Sequence, residues 1–217
     1  MKLLDLFCGA GGAGMGYHRA GFEVVGVDHL PQKNYPFEFH QADVLEYLAE
    51  HGSEFDVIHA SPPCQAFTNL RFIHGKNYPD MIDATRDLLV LSGKYYVIEN
   101  VRGAKLNASL MLCGTMFPEL RVIRHRYFET YPILAFPPAQ CDHWGTVSGN
   151  AAWNEAGRVT PSLKLYDFLT VTGNDYIADD GRKAMQIDWM TKKELSQAIP
   201  PAYTEFIGRM IMEANKP

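Results

Sequence analysis

The chain has 217 residues, 47% of them hydrophobic and 21% charged, with a formal net charge of −5 at pH 7. That length suits one full-sized core with an appendage and is too short for two ordinary domains with linkers. The acidic balance excludes a surface that grips nucleic acid indiscriminately, because such binding rests on basic phosphate contacts, although a local basic cleft remains compatible with it.

In chain order, the apolar run over 3–7 passes through glycines into a helix-compatible stretch ending at Ala20, which reads as strand, loop and helix. Phe7-Cys8-Gly9-Ala10-Gly11-Gly12 is thus placed where backbone can approach a nucleotide closely. The loop fits S-adenosylmethionine, NAD or a flavin about equally, and a structural glycine turn would look the same. A second buried strand over 23–28 ends in Asp28, an acid positioned for ribose hydroxyls. A shorter third strand over 39–43 leads into a helix over 44–51. Asp43 suits either an adenine amino group or the cap of that helix, and His29 either the adenine face or an exposed loop.

Residues 56–60 read as a fourth strand, ended by Pro62-Pro63. The polar, Gly/Pro/Asn-punctuated stretch over 64–79 reads as a long loop of the kind that often carries function, before a helix over 80–91. A fifth strand over 95–98 delivers Glu99, and 121–129 reads as a further strand. Alternating strands and helices predict an α/β, doubly wound Rossmann-like parallel sheet, with Asp28, Asp43, Cys64 and Glu99 on the rim formed by the strands' carboxyl ends. Periodicity fades between 132 and 183, which reads as a small appended subdomain. Thr191 and Glu194 then form a capping box, and Pro200-Pro201 opens a final helix expected to pack back on the sheet. The expected divisions are 1–131, 132–185 and 186–217.

The four cysteines, Cys8, Cys64, Cys113 and Cys141, are far apart with no CxxC pair, which fits a reducing cytosol. Cys113 reads as a small buried hydrophobe. Cys141-Asp142-His143 lacks a second ligand pair at suitable spacing, so no metal is expected. With no run of transmembrane length and no signal-peptide pattern, the expected location is the cytoplasm, with no membrane contact.

Ser61-Pro62-Pro63-Cys64-Gln65, followed in order by Glu99-Asn100-Val101 and Arg124-His125-Arg126, outlines a cysteine-nucleophile site for a pyrimidine ring. Together with Asp5-Leu6-Phe7-Cys8-Gly9-Ala10-Gly11-Gly12, these elements resemble the DNA cytosine-5 methyltransferases over most of the chain, and the compact bacteriophage versions in particular. The resemblance implies an S-adenosylmethionine-dependent methyltransferase fold and methyl transfer to carbon 5 of a flipped cytosine in double-stranded DNA. It implies Cys64 as the thiolate that adds to carbon 6, Glu99 as the protonated donor to ring nitrogen 3, Arg126 at the base carbonyl oxygen, and Arg124 near the phosphate or the active-site loop. This chemistry needs a raised Glu99 pKa and a lowered Cys64 pKa.

On the same resemblance the cofactor contacts are Phe7, Gly9, Ala10, Gly11, Gly12, Asp28, His29, Asp43 and Pro62, with core packing the alternative for Phe7. Pro63, Gln65, Asn100 and Val101 surround the base, and Arg71, His74 and Lys76 belong to a segment that closes over it. A monomer with no obligate protein partner is implied, since one active site acts on one strand at a time. Three features depart from the family pattern. Val122 stands where glutamine is usual, and Ala198-Ile199-Pro200-Pro201-Ala202-Tyr203 replaces a C-terminal Gly-Asn-Ser-Val element. The recognition region is also small, which suits a dinucleotide-scale site read through a few major-groove contacts of roughly 1–3 kcal/mol each. Lys164, Tyr166, Asn174, Arg182 and Lys183 are the candidates. The small region and the acidic charge also leave room for a free cytosine nucleotide or RNA as substrate, or for a catalytically silent nucleic-acid-binding module.

Overall fold

The computed structural model describes residues 1–63, 80–107, 109–134, 137–148, 152–154, 157–159, 162–173 and 176–216. Seven strands form one sheet: β1 (Lys2–Leu6), β2 (Glu23–Asp28), β3 (Glu38–Gln41), β4 (Val57–Ala60), β5 (Tyr95–Asn100), β6 (Leu110–Leu112) and β7 (Arg126–Tyr131). Their order is β3-β2-β1-β4-β5-β7-β6. The five strands β3, β2, β1, β4 and β5 pair in parallel, whereas β7 runs antiparallel to both its neighbours.

The apolar runs read continuously because both sheet faces are covered. Leu3, Val24, Val57 and Val97 belong to one core, and their next neighbours Leu4, Val25, Ile58 and Ile98 to the other, as the two-residue period of a strand requires. Helices α1 (Gly12–Arg19) and α6 (Pro201–Ala214) contribute Ala13, Tyr17, Tyr203 and Ile207 to the first core. Helices α2 (Val44–His51) and α3 (Ile82–Ser92) give Val44, Leu48 and Leu89 to the second. Leu169, Val171, Tyr176, Ala184 and Met185 join the first core, and the last two lie on α4 (Ala178–Met185).

The expected final helix packs chiefly against α1. A Cβ at Gly16 would run into the Pro201 carbonyl and the Thr204 hydroxyl, so the two helices meet backbone to backbone. Thr204 Oγ1 also donates to the Ala13 carbonyl at 2.8 Å. Contact with the sheet comes through Tyr203, which stacks on Phe117 and meets Phe128 edge-on. The capping box forms as read, with Thr191 and Glu194 closing the N-terminus of α5 (Lys192–Leu195). On the other face the Arg86 guanidinium takes both Glu129 oxygens at 2.9 Å, joining α3 to β7.

Two expectations about strands need correction. The strand placed over 121–129 starts only at Arg126, because the preceding residues pair elsewhere: Ile123 N–H donates to the Leu169 carbonyl and Leu169 N–H to that of Arg121. The third strand ends at Gln41, ahead of Asp43. The three-residue β6 was not anticipated. A separate hairpin joins β8 (Ala152–Asn154) and β9 (Gly157–Val159). Among the described residues no helix is long and apolar enough to cross a membrane.

Candidate active site

Register brings the motifs together. Ala60 of β4 stands between Leu6 of β1 and Ile98 of β5, so Ser61-Pro62-Pro63, just past the end of β4, and Glu99-Asn100, the last residues of β5, lie on the same rim. Because β7 is antiparallel to β5, its first residue, Arg126, arrives at that rim as well. Asn100 Nδ2 donates to the Pro62 carbonyl at 2.9 Å, and Asn100 Oδ1 accepts from Val101 N–H. Asn100 thereby holds the segment that leads into Cys64. Cys64, Gln65, Arg71, His74, Lys76 and Asn174 themselves lie outside the described residues.

Glu99 is buried, and Arg126 Nε lies 2.9 Å from its Oε1. Among the described residues Oε1 has no aligned hydrogen bond, so its contact with Arg126 is one of charge proximity. Burial raises the Glu99 pKa, opposed by the Arg126 charge, a hydrogen bond from Ser61 and the Arg124 charge. The net shift favours the protonated carboxyl, which can donate a proton.

Behind Glu99 runs a buried polar chain that the sequence reading did not single out. Tyr17 Oη lies 3.0 Å from His59 Nδ1, and His59 Nε2 lies 2.9 Å from Ser61 Oγ. His59 is fully buried, and burial lowers its pKa to about 3. A neutral imidazole has one donor and one acceptor nitrogen. Burial and the Asp5 charge push the Tyr17 pKa up, keeping its hydroxyl protonated. The consistent assignment is Tyr17 donating to Nδ1, Nε2–H donating to Ser61, and Ser61 donating to Glu99. A histidine within the apolar run Val57-Ile58-His59-Ala60 was the available signal.

Arg124 is placed differently from a phosphate-facing arginine. It is 5% exposed, and its Nη1 and Nη2 donate to the carbonyls of Val171 at 2.6 Å and Ser196 at 2.7 Å. Its own carbonyl accepts from Tyr203 Oη. Burial, with the Arg126 charge, lowers its pKa to about 9. Arg124 is a clamp between the sheet and the C-terminal segment.

At the glycine loop, Asp28 accepts from Gly9 N–H at 3.1 Å and Leu30 N–H at 3.0 Å. Gly9 has a φ of 49°, and a Cβ there would meet nothing within 4 Å, leaving its backbone face open. Gly11, with a φ of 82°, lies against Tyr35 and Pro36, and Gly12 against the Ile199 carbonyl, so both are used in packing. Phe7 packs half-buried on the second core. The Ala10 carbonyl accepts from Trp189 Nε1 at 2.8 Å, a tie across 179 positions that no local signal announces. His29 is exposed beside Asp28, at 3.2 Å. Asp43 caps α2, accepting from the Leu45 and Glu46 amides through Oδ1.

Pro62 is buried and Pro63 half-buried. Lys164 and Lys183 are exposed, and Tyr166 is half-buried. Arg182 is tied internally, to the Met190 carbonyl and to Asp179.

A family model described as C-5 cytosine-specific DNA methylase matches residues 1–121. The Type II methyltransferase M.FnuDI of Fusobacterium nucleatum is 34% identical over 113 residues, 48% of this chain and 33% of the relative. The chain therefore spans about a third of that relative's length. Two solved structures share the fold: the Entamoeba histolytica methyltransferase EhMeth, with a TM-score of 0.64 and 14% identity over 100% of this chain and 99% of that one, and a proposed DNA modification methyltransferase encoded within an E. coli prophage, with a TM-score of 0.59 and 14% identity over the whole of both chains.

Proposed function

Because the chain belongs to the C-5 cytosine-specific DNA methylase family, we propose that it methylates carbon 5 of cytosine in duplex DNA, through a covalent adduct of Cys64 with a flipped base. The observation that carries this reading is the buried Glu99 carboxyl, held beside Arg126 on the rim where the Pro62-Pro63 segment enters Cys64.

The residues at the glycine loop fit S-adenosylmethionine: the open backbone of Gly9 admits close approach, and the adjacent Asp28 carboxylate suits ribose hydroxyls. The bound cofactor would supply an electrophilic methyl group. Carbon 5 of cytosine is a poor nucleophile, and a covalent step divides the difficulty. The Cys64 thiolate adds to carbon 6 while Glu99 gives its proton to ring nitrogen 3, and carbon 5 gains the electron density that takes the methyl group. Loss of the carbon-5 proton to solvent then expels Cys64, and ring nitrogen 3 returns its proton to Glu99 as the ring is restored. Arg126 holds the neighbouring carbonyl oxygen, while Ser61 and His59 act as positioning residues for Glu99. The segment 132–185 reads a short site, with Lys164 and Lys183 among its exposed cations, and the protein works as a cytoplasmic monomer.

The test is a pool of duplex DNA carrying 5-fluorocytosine, incubated with protein and cofactor. Fluorine cannot be removed as the proton is, so the adduct should persist on a denaturing gel and map to Cys64. Methylation of ordinary DNA without a trapped adduct on the fluorinated pool would overturn the covalent mechanism. Activity on a free nucleotide or RNA alone would overturn the duplex substrate.

A further inference from the structure

Beside the catalytic residues, four soft donors converge from three separate parts of the chain. Cys113 follows β6, His125 immediately precedes β7, and Cys141 and His143 lie in the segment beyond β7. Their donor atoms all fall within 4.8 Å of one another. Cys113 Sγ is 3.5 Å from His143 Nε2, Cys141 Sγ 3.2 Å from His143 Nε2, and His125 Nε2 3.4 Å from Cys141 Sγ. Tetrahedral zinc, with Zn–S of about 2.3 Å and Zn–N of about 2.0–2.1 Å, sets neighbouring donors roughly 3.3–3.8 Å apart.

We propose that Cys113, His125, Cys141 and His143 form a structural zinc site. Two thiolates and two imidazoles are a closed Cys2His2 set of the softness and number that zinc prefers, with no position kept for water or substrate. Both histidines present the same nitrogen, Nε2, to the centre. Thr115 Oγ1 donates to Cys113 Sγ at 3.5 Å and lies 3.8 Å from Cys141 Sγ, the kind of outer contact that orients a ligating thiolate. Cys113 is buried while His143 is exposed, so the site has a floor and an entry. Binding releases the two thiol protons as the Zn–S bonds form.

Cys113 is buried in the first core, as its sequence context led one to expect, and on this proposal it is a ligand as well; the second pair that local spacing around Cys141-Asp142-His143 does not offer comes from elsewhere in the chain. Cys113 and His125 supply that pair from flanking ends of adjacent strands. The ion staples the chain leaving β7 to its starting end, one residue from Arg126. It thus fixes the first part of the 132–185 segment, in which the described residues up to 147 include no buried apolar side chain, against the catalytic strand.

The chain is to be purified without a histidine tag and its zinc measured by inductively coupled plasma mass spectrometry. About one zinc per chain is expected. Zinc removed by a chelator and replaced by Co2+ should give the intense visible absorption of a tetrahedral dithiolate site. The double variant Cys141→Ser, His143→Ala alters only the half-exposed and exposed ligands, so the Cys113 packing is kept, and it should lose both the zinc and the spectrum. A wild-type chain that carries no zinc and gives only the weak absorption of octahedral Co2+ would overturn the proposal. So would unchanged zinc content in the double variant, or an intact mass short of two hydrogens that reports a Cys113–Cys141 disulfide in the metal-free protein. None of these readouts depends on methyl transfer, so either reading can fail without the other.

Discussion

Asp5→Asn replaces a fully buried carboxyl beneath the glycine loop, where Tyr35 donates to Oδ2 and Oδ1 has no hydrogen-bond partner among the described residues. Burial lifts its pKa from 3.8 to about 8; the Asp28 charge adds to the rise, and bonds from Tyr35 and the Gly14 backbone oppose it. The folded-state value exceeds the unfolded one, so the native state binds more protons within this window and stability falls as pH rises through it. At pH 7 the interval above 3.8 is about three units, which at about 1.4 kcal/mol each amounts to about 4 kcal/mol of destabilisation from one group. Asparagine cannot ionise and removes that penalty, while an amide N–H without an acceptor returns about 1–3 kcal/mol of it. The variant should exceed the parent by about 1–3 kcal/mol at pH 7, more so near pH 8, and fall below it under pH 4. His59 acts with the opposite sign. Its pKa is lowered from 6.5 to about 3, so its contribution is lost as pH falls through that range. Both proteins carry the His59 slope, and it cancels in the difference between their urea-unfolding free energies. Parallel pH profiles for the two proteins would refute the assignment.

Glu99→Gln keeps the volume but cannot transfer a proton, so kcat should fall by about 10²–10⁴ while the melting temperature changes little; a loss under tenfold would remove Glu99 from the general-acid role. In the parent, burial raises the Glu99 pKa, so kcat should decline as pH rises through it, and that limb should vanish in the Gln variant. Ser61→Ala removes a hydrogen bond that lowers the Glu99 pKa. Its pH–rate limb should therefore move to higher pH, which a purely structural role for Ser61 would not produce. Arg124→Met leaves the Val171 and Ser196 carbonyls without their donor, at about 1–3 kcal/mol each; calorimetric melting should show the loss, and an unchanged melting temperature would contradict the clamp.

What the sequence made legible follows the range of the interactions involved. Strands β1, β2, β4 and β5 were readable because burial on both faces makes each a continuous apolar run, and Glu99 and the Pro62-Pro63 segment were placed on one rim by the parallel alternation alone. The α5 capping box, four residues long, was equally plain. Other features depended on partners far away in the chain. The start of β7 was misjudged because Arg121 and Ile123 pair with Leu169. The Arg124 clamp reaches 47 and 72 positions along the chain. The Cys2His2 cluster draws on residues 113, 125, 141 and 143, a spacing with no repeat, and only the adjacency of β6 and β7 brings the first two together.

The central claim is most directly tested by the nucleoside composition of a cytosine-rich duplex DNA pool after incubation with S-adenosylmethionine and either the parent protein or Cys64→Ser. Digestion and mass spectrometry should reveal 5-methyldeoxycytidine with the parent and none above background with the serine variant. Equal yields from the two proteins, or a methyl group found on the exocyclic nitrogen instead of carbon 5, would contradict the account.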